Sequence, residues 1–162
     1  MKKNNSNLPN FLVVGAHKSG TTSLYHYLKQ HPEIYLSERK EGLFFSGLDN
    51  FSGIGSKRYN KTLIKSLKDY QKLFQNIKNE KAIGDVSPDY LFFYQNSINR
   101  IKKYLGNNVK IIIILRNPID RAYSNYTFYT KLNLEKLSFR QALDVESERV
   151  NLNFRWAFRY KD

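Results

Sequence analysis

The residues best suited to chemistry lie in Gly15-Ala-His-Lys-Ser-Gly-Thr-Thr-Ser23, where two glycines bracket a lysine and three successive hydroxyls follow. Ahead of them runs Phe11-Leu-Val-Val14, apolar and rich in β-branched residues; behind them Leu24, Tyr27 and Leu28 keep helical spacing. Strand, tight loop and helix are predicted in that order. In such a turn the loop amides and the unpaired N–H groups of the first helical turn converge on one point, and the helix dipole adds positive potential there. An anion fits that point, a phosphate above all. The spacing approaches the G-x-x-x-x-G-K-[ST] loop of nucleotide triphosphatases, but Thr21 stands where the phosphate-binding lysine belongs, and Lys18 sits inside the loop instead. From there Lys18 can reach a bridging oxygen at the far end of the bound group, while Thr21, Thr22 and Ser23 supply neutral hydroxyl donors. The plainer alternative is a helix start with Ser19 as its cap and glycines that serve only the turn.

A second anion-binding element is expected at Val109-Lys-Ile-Ile-Ile-Ile-Leu115, a nearly continuous β-branched run with the pattern of a strand buried on both faces of a parallel sheet. It ends in Arg116-Asn117-Pro118, with Asn117 as cap and Pro118 in the first turn of the next helix. Ligands bind at strand ends in α/β sheets, so Arg116 is placed to fork onto a phosphate, with Ser124 two turns along the helix as a hydroxyl donor. In a nucleotide triphosphatase that strand ends in an aspartate that helps to hold magnesium. Here it ends in arginine, which argues for binding anions directly, without a metal. Glu41, in a charged cluster set against Leu43-Phe-Phe45, has the surroundings of a general base, its pKa set by burial against nearby lysines. On spacing alone it reads more readily as part of a solvated charge run before a core segment. Asp85, at the end of the short strand expected at residues 81–86, is a possible second site carboxylate.

The elements that hold these residues are legible from pattern. A first helix ends near His31, before Pro32, and Ile34–Leu36 is extended. Residues 46–62, with Gly47, Gly53 and Gly55, read as a loop bordering a cleft. Ser66-x-x-Asp69 caps a scaffold helix with Leu67, Tyr70, Leu73, Phe74 and Ile77 on one face. Ser87-Pro88-Asp89 starts a helix running from residue 88 to about 105, with Leu91, Tyr94, Ile98, Ile101 and Leu105 as its core stripe and Gly106 as its end. The aromatic group Tyr90, Phe92, Phe93 and Tyr94 serves either core packing or an acceptor pocket. A last helix is expected from Ser138, with Gln141 completing a capping box, to about Arg149; the aromatic and basic segment after Asn153 reads as an element awaiting its packing partner.

With 162 residues the chain fits one domain, read as a polar tail over residues 1–10 and an incomplete domain over 11–162. It has no cysteine, and its three histidines form no ligand-spaced cluster, so no metal is expected. A net charge of +13 favours anionic partners. The lysines are spread over helical faces such as Lys65, Lys68, Lys72, Lys102 and Lys103, with no nucleic-acid-binding motif, so no specific nucleic acid is expected. The sequence carries no apolar leader and no membrane-length run, so a cytoplasmic location without membrane attachment is expected.

Taken together the motifs resemble those of the sulfotransferase family that includes the heparan sulfate sulfotransferases and their bacterial relatives. Gly15-Ala-His-Lys-Ser-Gly-Thr-Thr-Ser-Leu24 is similar to the family's 5′-phosphosulfate loop, and Lys40-Glu-Gly-Leu-Phe-Phe45 to its K-E-x-x-F-F segment. Gly84-Asp-Val-Ser-Pro-Asp-Tyr90 is similar to G-E-x-S-P-x-Y, with aspartate for the usual glutamate, and Leu115-Arg-Asn-Pro-Ile-Asp-Arg-Ala-Tyr-Ser-Asn-Tyr126 to the 3′-phosphate motif. The resemblance covers residues 11–126 and implies an α/β fold, a P-loop NTPase-like central parallel sheet flanked by helices. It implies 3′-phosphoadenosine 5′-phosphosulfate (PAPS) as co-substrate and in-line transfer of its sulfuryl group to a hydroxyl or amine on a small molecule or glycan, with no metal. Lys18 would stabilise charge on the bridging oxygen, Ser19, Gly20, Thr21, Thr22 and Ser23 would hold the phosphosulfate, Arg116 and Ser124 the 3′-phosphate, and Glu41 would be the base. Relatives continue with a G-x-Y-x-x-x-L stretch and a basic loop, neither of which is found here, so the C-terminal part is expected to be missing. Two other readings stay open: an inactive, truncated nucleotide- or phosphate-binding module, and an ATP-dependent P-loop kinase.

Overall fold

The structure is a computed structural model that describes residues 8–48, 60–151 and Tyr160. Its centre is a parallel sheet of four strands: β1 (Phe11–Gly15), β2 (Ile34–Leu36), β3 (Ala82–Val86) and β4 (Lys110–Ile113), in the order β2-β3-β1-β4. Helix α1 (Thr21–Leu28) follows β1, and α2 (Leu67–Lys72) precedes β3. Two helices, α3 (Asp89–Phe92) and α4 (Tyr94–Leu105), connect β3 to β4, and α5 (Pro118–Lys131), α6 (Phe139–Asp144) and α7 (Glu146–Asn151) complete the described chain. This is the helix-flanked parallel sheet the motifs imply.

Alternation along β1 feeds both faces of the sheet. Leu12 and Val14 join Phe44, Phe45, Tyr70, Phe74, Tyr90 and Ile101 on one side, while Phe11 and Val13 join Tyr25, Leu36 and Val86 on the other. From β1 the chain crosses to β2 and β3 on one flank and then returns to β4 on the other, so the sheet's switch point lies beside β1. Crevices open at the carboxyl ends of strands at such points. There Gly15 is hemmed in: a Cβ on it would meet the Leu91 Cβ at 2.7 Å.

Several expectations are revised. The run at residues 109–115 is not buried on both faces: β4 is an edge strand among the described residues, and Ile112 and Ile114 pack inward while Ile111, Ile113 and Leu115 are exposed. An unbroken apolar run does not itself reveal how many layers cover it. The helix expected from 88 to 105 is two helices, interrupted at Phe93 (φ −93°, ψ 36°). The break resets the helical phase, so Tyr94 and Ile98 are exposed while Ser97 and Ile101 are buried. Likewise the last expected helix divides at Val145. Ser87 is not a cap, because its hydroxyl donates to Asp85 instead. The Ser66, Asn117 and Ser138 caps form as expected, Ser138 with its full capping box. Most of the glycine-bearing loop (residues 49–59) and of the terminal aromatic segment falls outside the described residues.

Behind α5 a buried carboxylate ties the C-terminal elements together. Glu135, its side chain 1% exposed, accepts both Arg149 Nη1 (2.6 Å) and Nη2 (3.1 Å), the Tyr160 hydroxyl (2.7 Å) and the amides of Lys136 and Leu137. Burial alone would push its pKa up, but the guanidinium, the amide and the phenol outweigh it and pull it down from 4.5 to about 2. The folded value lies below the unfolded one, so the stabilisation is complete above about pH 4.5 and is lost as pH falls towards 2. Glu135→Gln is expected to cost about 3 kcal/mol at neutral pH and to flatten the fall of the melting temperature between pH 4.5 and 2, as measured by circular dichroism. An unchanged acid profile would refute the role given to this carboxylate.

Candidate functional site

The loop after β1 turns sharply because two residues accept left-handed backbone geometry, Lys18 at φ 62° and Gly20 at φ 100°. Gly20 takes it without steric cost, whereas a lysine there is held against its preference, as is common where a side chain must be aimed. Gly20 is the cap residue of α1 and provides no side chain, and Ser19 does not cap at all. Instead the Ser19 hydroxyl is buried with no hydrogen-bond partner. Its hydrogen-bonding capacity is unmet.

A cleft of about 310 Å³ opens on this loop, with Lys18, Gly20, Thr21, Thr22, Lys40, Glu41, Arg116 and Ser124 in its wall. Four separate segments thus meet, as the spacing and resemblance require. Arg116 at the tip of β4 and Lys18 in the first loop are neighbours: Arg116 Nη1 donates to the Lys18 backbone oxygen at 3.3 Å. The Lys18 ammonium lies 4.3 Å from the centre of the Phe128 ring. Burial, then the nearby Arg116 charge, lower its pKa from the ordinary lysine value. Ser23, by contrast, is exposed on α1 and lines no part of this cleft, and Ser19 is buried and not in its wall.

Glu41 is not part of a solvated charge run. Its backbone is also left-handed (φ 63°), and its amide donates to the Val86 carbonyl, which brings the side chain to the ends of the strands. Lys40 Nζ contacts Glu41 Oε1 at 2.5 Å and donates to Thr22 Oγ1 at 3.0 Å. The lysine thereby links the charged cluster to the start of α1. With Lys18, Lys40 and Arg116 against one carboxylate, the cleft is cationic and rich in hydroxyls, a combination suited to a strongly anionic ligand.

Asp85, expected as a second site carboxylate, belongs to the core. It is 7% exposed and accepts from the Tyr70 and Tyr90 hydroxyls (2.7 Å each) and from Ser87 Oγ (2.9 Å). Burial pushes its pKa up against those three donors. The residues that sequence reasoning missed are His17 and Asp89. His17 Nε2 lies 2.7 Å from Asp89 Oδ1, across 72 positions of sequence. No spacing rule links a loop histidine to an aspartate in another helix, although His17 stands beside Lys18 and Asp89 lies in the Ser-Pro-Asp segment.

The aromatic group after Asp89 divides. Tyr90 is core, whereas Phe92 and Tyr94 line a second cavity of about 420 Å³, bounded across from them by Arg121, Asn125 and Tyr129 of α5. His17 and Pro88 stand in the walls of both spaces.

A family model described as a sulfotransferase domain matches residues 8–155. The chain is 31% identical, over 96% of its length, to a membrane-associated sulfotransferase, kil1, of Dictyostelium discoideum, of which it covers 31%. It is 33% identical, over 77% of its length, to bifunctional heparan sulfate N-deacetylase/N-sulfotransferase 4 of Mus musculus, covering 13% of that protein. The crystal structure of a sulfotransferase from Alicyclobacillus acidocaldarius superposes with a TM-score of 0.86 at 39% identity, over 95% of this chain and 63% of the other. The chain therefore spans less than a third of the length of these curated relatives. Among the described residues no helix is long and apolar enough to cross a membrane.

Proposed function

The chain belongs to the sulfotransferase family, and from that premise we propose that it takes PAPS as sulfuryl donor and transfers the group to a hydroxyl or amine, on a glycan or a small molecule. The observation that carries this reading is the meeting of Lys18 and Arg116 on one cleft, from loops 98 positions apart. A single adenosine nucleotide with a phosphosulfate at one end and a 3′-phosphate at the other suits that pair. The names of the relatives, which act on carbohydrates and heparan sulfate, support a glycan as acceptor. A cytoplasmic location remains part of the proposal, tested by fractionation.

In this reading the amides from Ser19 to Ser23 and the Thr21 and Thr22 hydroxyls hold the phosphosulfate. Arg116 and Ser124 hold the 3′-phosphate. Lys18 neutralises the charge that builds on the oxygen between phosphorus and sulfur as the S–O bond breaks, and Glu41 accepts the proton of the attacking group. Alignment and fixed charge supply most of such a reaction's barrier lowering.

The test is incubation with 35S-labelled PAPS and a panel of glycans, phenols and amines, beside calorimetry with adenosine 3′,5′-bisphosphate. Transfer is expected. Bisphosphate affinity without transfer to any acceptor favours the binding-module reading, and magnesium-dependent ATP binding in place of bisphosphate binding favours the kinase. Arg116→Ala is expected to weaken bisphosphate binding by about 10–100-fold, the worth of a charge-assisted hydrogen bond. An unchanged affinity would remove Arg116 from the donor site.

A further inference from the structure

The cavity of about 420 Å³ and the donor cleft share His17 on their common wall. The imidazole is 29% exposed, and its Nε2 is tied to an aspartate whose side chain is only 4% exposed. Glu41 lines the donor cleft but not the second cavity, and its carboxylate is already engaged by Lys40. Of the two, only the histidine borders both spaces. An imidazole oriented by a buried carboxylate and facing the place where a nucleophile must arrive is the usual arrangement of a base with its orienting partner.

We propose that His17 is a second general base of the transfer, serving acceptors seated in the cavity beside α3 and α5, and that Asp89 is its positioning residue. This deepens the sulfotransferase reading and rests on it. The acceptor class follows from the walls. Leu91, Phe92, Tyr94 and Tyr129 offer apolar faces, and Arg121 and Asn125 a polar edge, which suits one hydroxyl-bearing ring. A phenol and a sugar ring share that chemistry. In the step, the ring oxygen forms a bond to sulfur, the bond from sulfur to the phosphate oxygen breaks, and adenosine 3′,5′-bisphosphate leaves with the electron pair. The hydroxyl proton passes to the His17 imidazole, which Asp89 holds through Nε2.

The electrostatics give this a signature. Burial works to lower the His17 pKa, but the Asp89 charge and hydrogen bond, with help from Glu41, outweigh burial and Lys40 and leave it raised above 6.5. Besides these groups, Lys18 adjoins it in the loop and Arg121 faces it across the cavity. The base form is the neutral ring, so kcat/KM rises with pH through this raised value, and Asp89→Asn moves the limb to lower pH. A carboxylate base alone would place the limb in the acid range.

The experiment has two arms. In the first, the His17 imidazole is followed by NMR in the full chain, with p-nitrophenol or the methyl glycoside of glucosamine added in turn. Its pKa is expected above the ordinary histidine value in the wild type and lower in Asp89→Asn, and one of the two rings should shift its resonances, which also identifies the acceptor source. An unmoved pKa, or no shift with either ring, overturns the proposal. In the second arm, His17→Asn is expected to lower kcat about 10²-fold and abolish the histidine limb, with a smaller change in bisphosphate affinity, while Glu41→Gln keeps the limb. A limb that survives in His17→Asn also overturns it. If the NMR arm succeeds and the wild type transfers to nothing, the transferase reading fails rather than the binding of a ring at His17.

Discussion

Lys18→Met is expected to lower kcat by about 10³-fold, the upper range for removing one fixed donor from a developing oxyanion, and to leave the affinity for adenosine 3′,5′-bisphosphate within about tenfold of wild type. The asymmetry follows from where the lysine acts. In the proposed reading Thr21, Thr22, Arg116 and Ser124 hold charge already present on the donor, whereas Lys18 meets charge that grows only as the S–O bond opens. Its left-handed backbone and its seat over Phe128 keep the ammonium at one edge of the cleft before any ligand arrives. Single-turnover kinetics with labelled PAPS, beside calorimetry, separates the two effects. A variant that loses affinity and rate in equal proportion would make Lys18 an ordinary phosphate ligand. Retained transfer would remove it from the chemistry altogether.

Asp85→Ala is expected to have the largest effect on stability. Its carboxylate receives the hydroxyls of Tyr70, Tyr90 and Ser87, all buried beside β3, and truncation leaves three donors without an acceptor. At about 1–3 kcal/mol for each unmet buried group, the loss reaches several kcal/mol, a large part of what holds a domain of this size together. Urea denaturation should show a midpoint far below wild type, or a chain that does not fold. Asp85→Asn preserves the shape and part of the accepting capacity and should fall between. It also separates structure from catalysis: once folded, it is expected to bind bisphosphate like the wild type, because Asp85 lies outside the donor cleft. A wild-type midpoint for Asp85→Ala would show that the three hydroxyls do not depend on it.

The elements that carry the proposed site residues were largely legible because they are local. A strand, a glycine-bounded turn and a helix start are each fixed by neighbouring residues, and so is an arginine at the end of an apolar strand followed by Asn-Pro. Lys18, Thr21, Thr22, Glu41, Arg116 and Ser124 therefore came out of pattern and resemblance, and the fold brings them to one cleft. Ser23 shows the limit even there: being in the motif did not mean facing the cleft, because successive side chains of a helix point to different sides of it. The errors share one cause. Whether the β4 run is covered on one face or two, and which stripe of the helix after Phe93 is buried, depend on neighbours that periodicity does not contain.

The sequence by itself determined the strand-loop-helix turn around Lys18 and the caps at Ser66, Asn117 and Ser138, because each is set within a few residues by backbone geometry and hydrogen-bonding capacity. Only the tertiary structure decided that Asp85 is a core hub rather than a site carboxylate, that Glu135 clamps Arg149 and Tyr160, and that His17 meets Asp89 between two cavities. A carboxylate's role depends on how much water it retains and which donors surround it, and those are fixed by the packing of segments far apart in the chain.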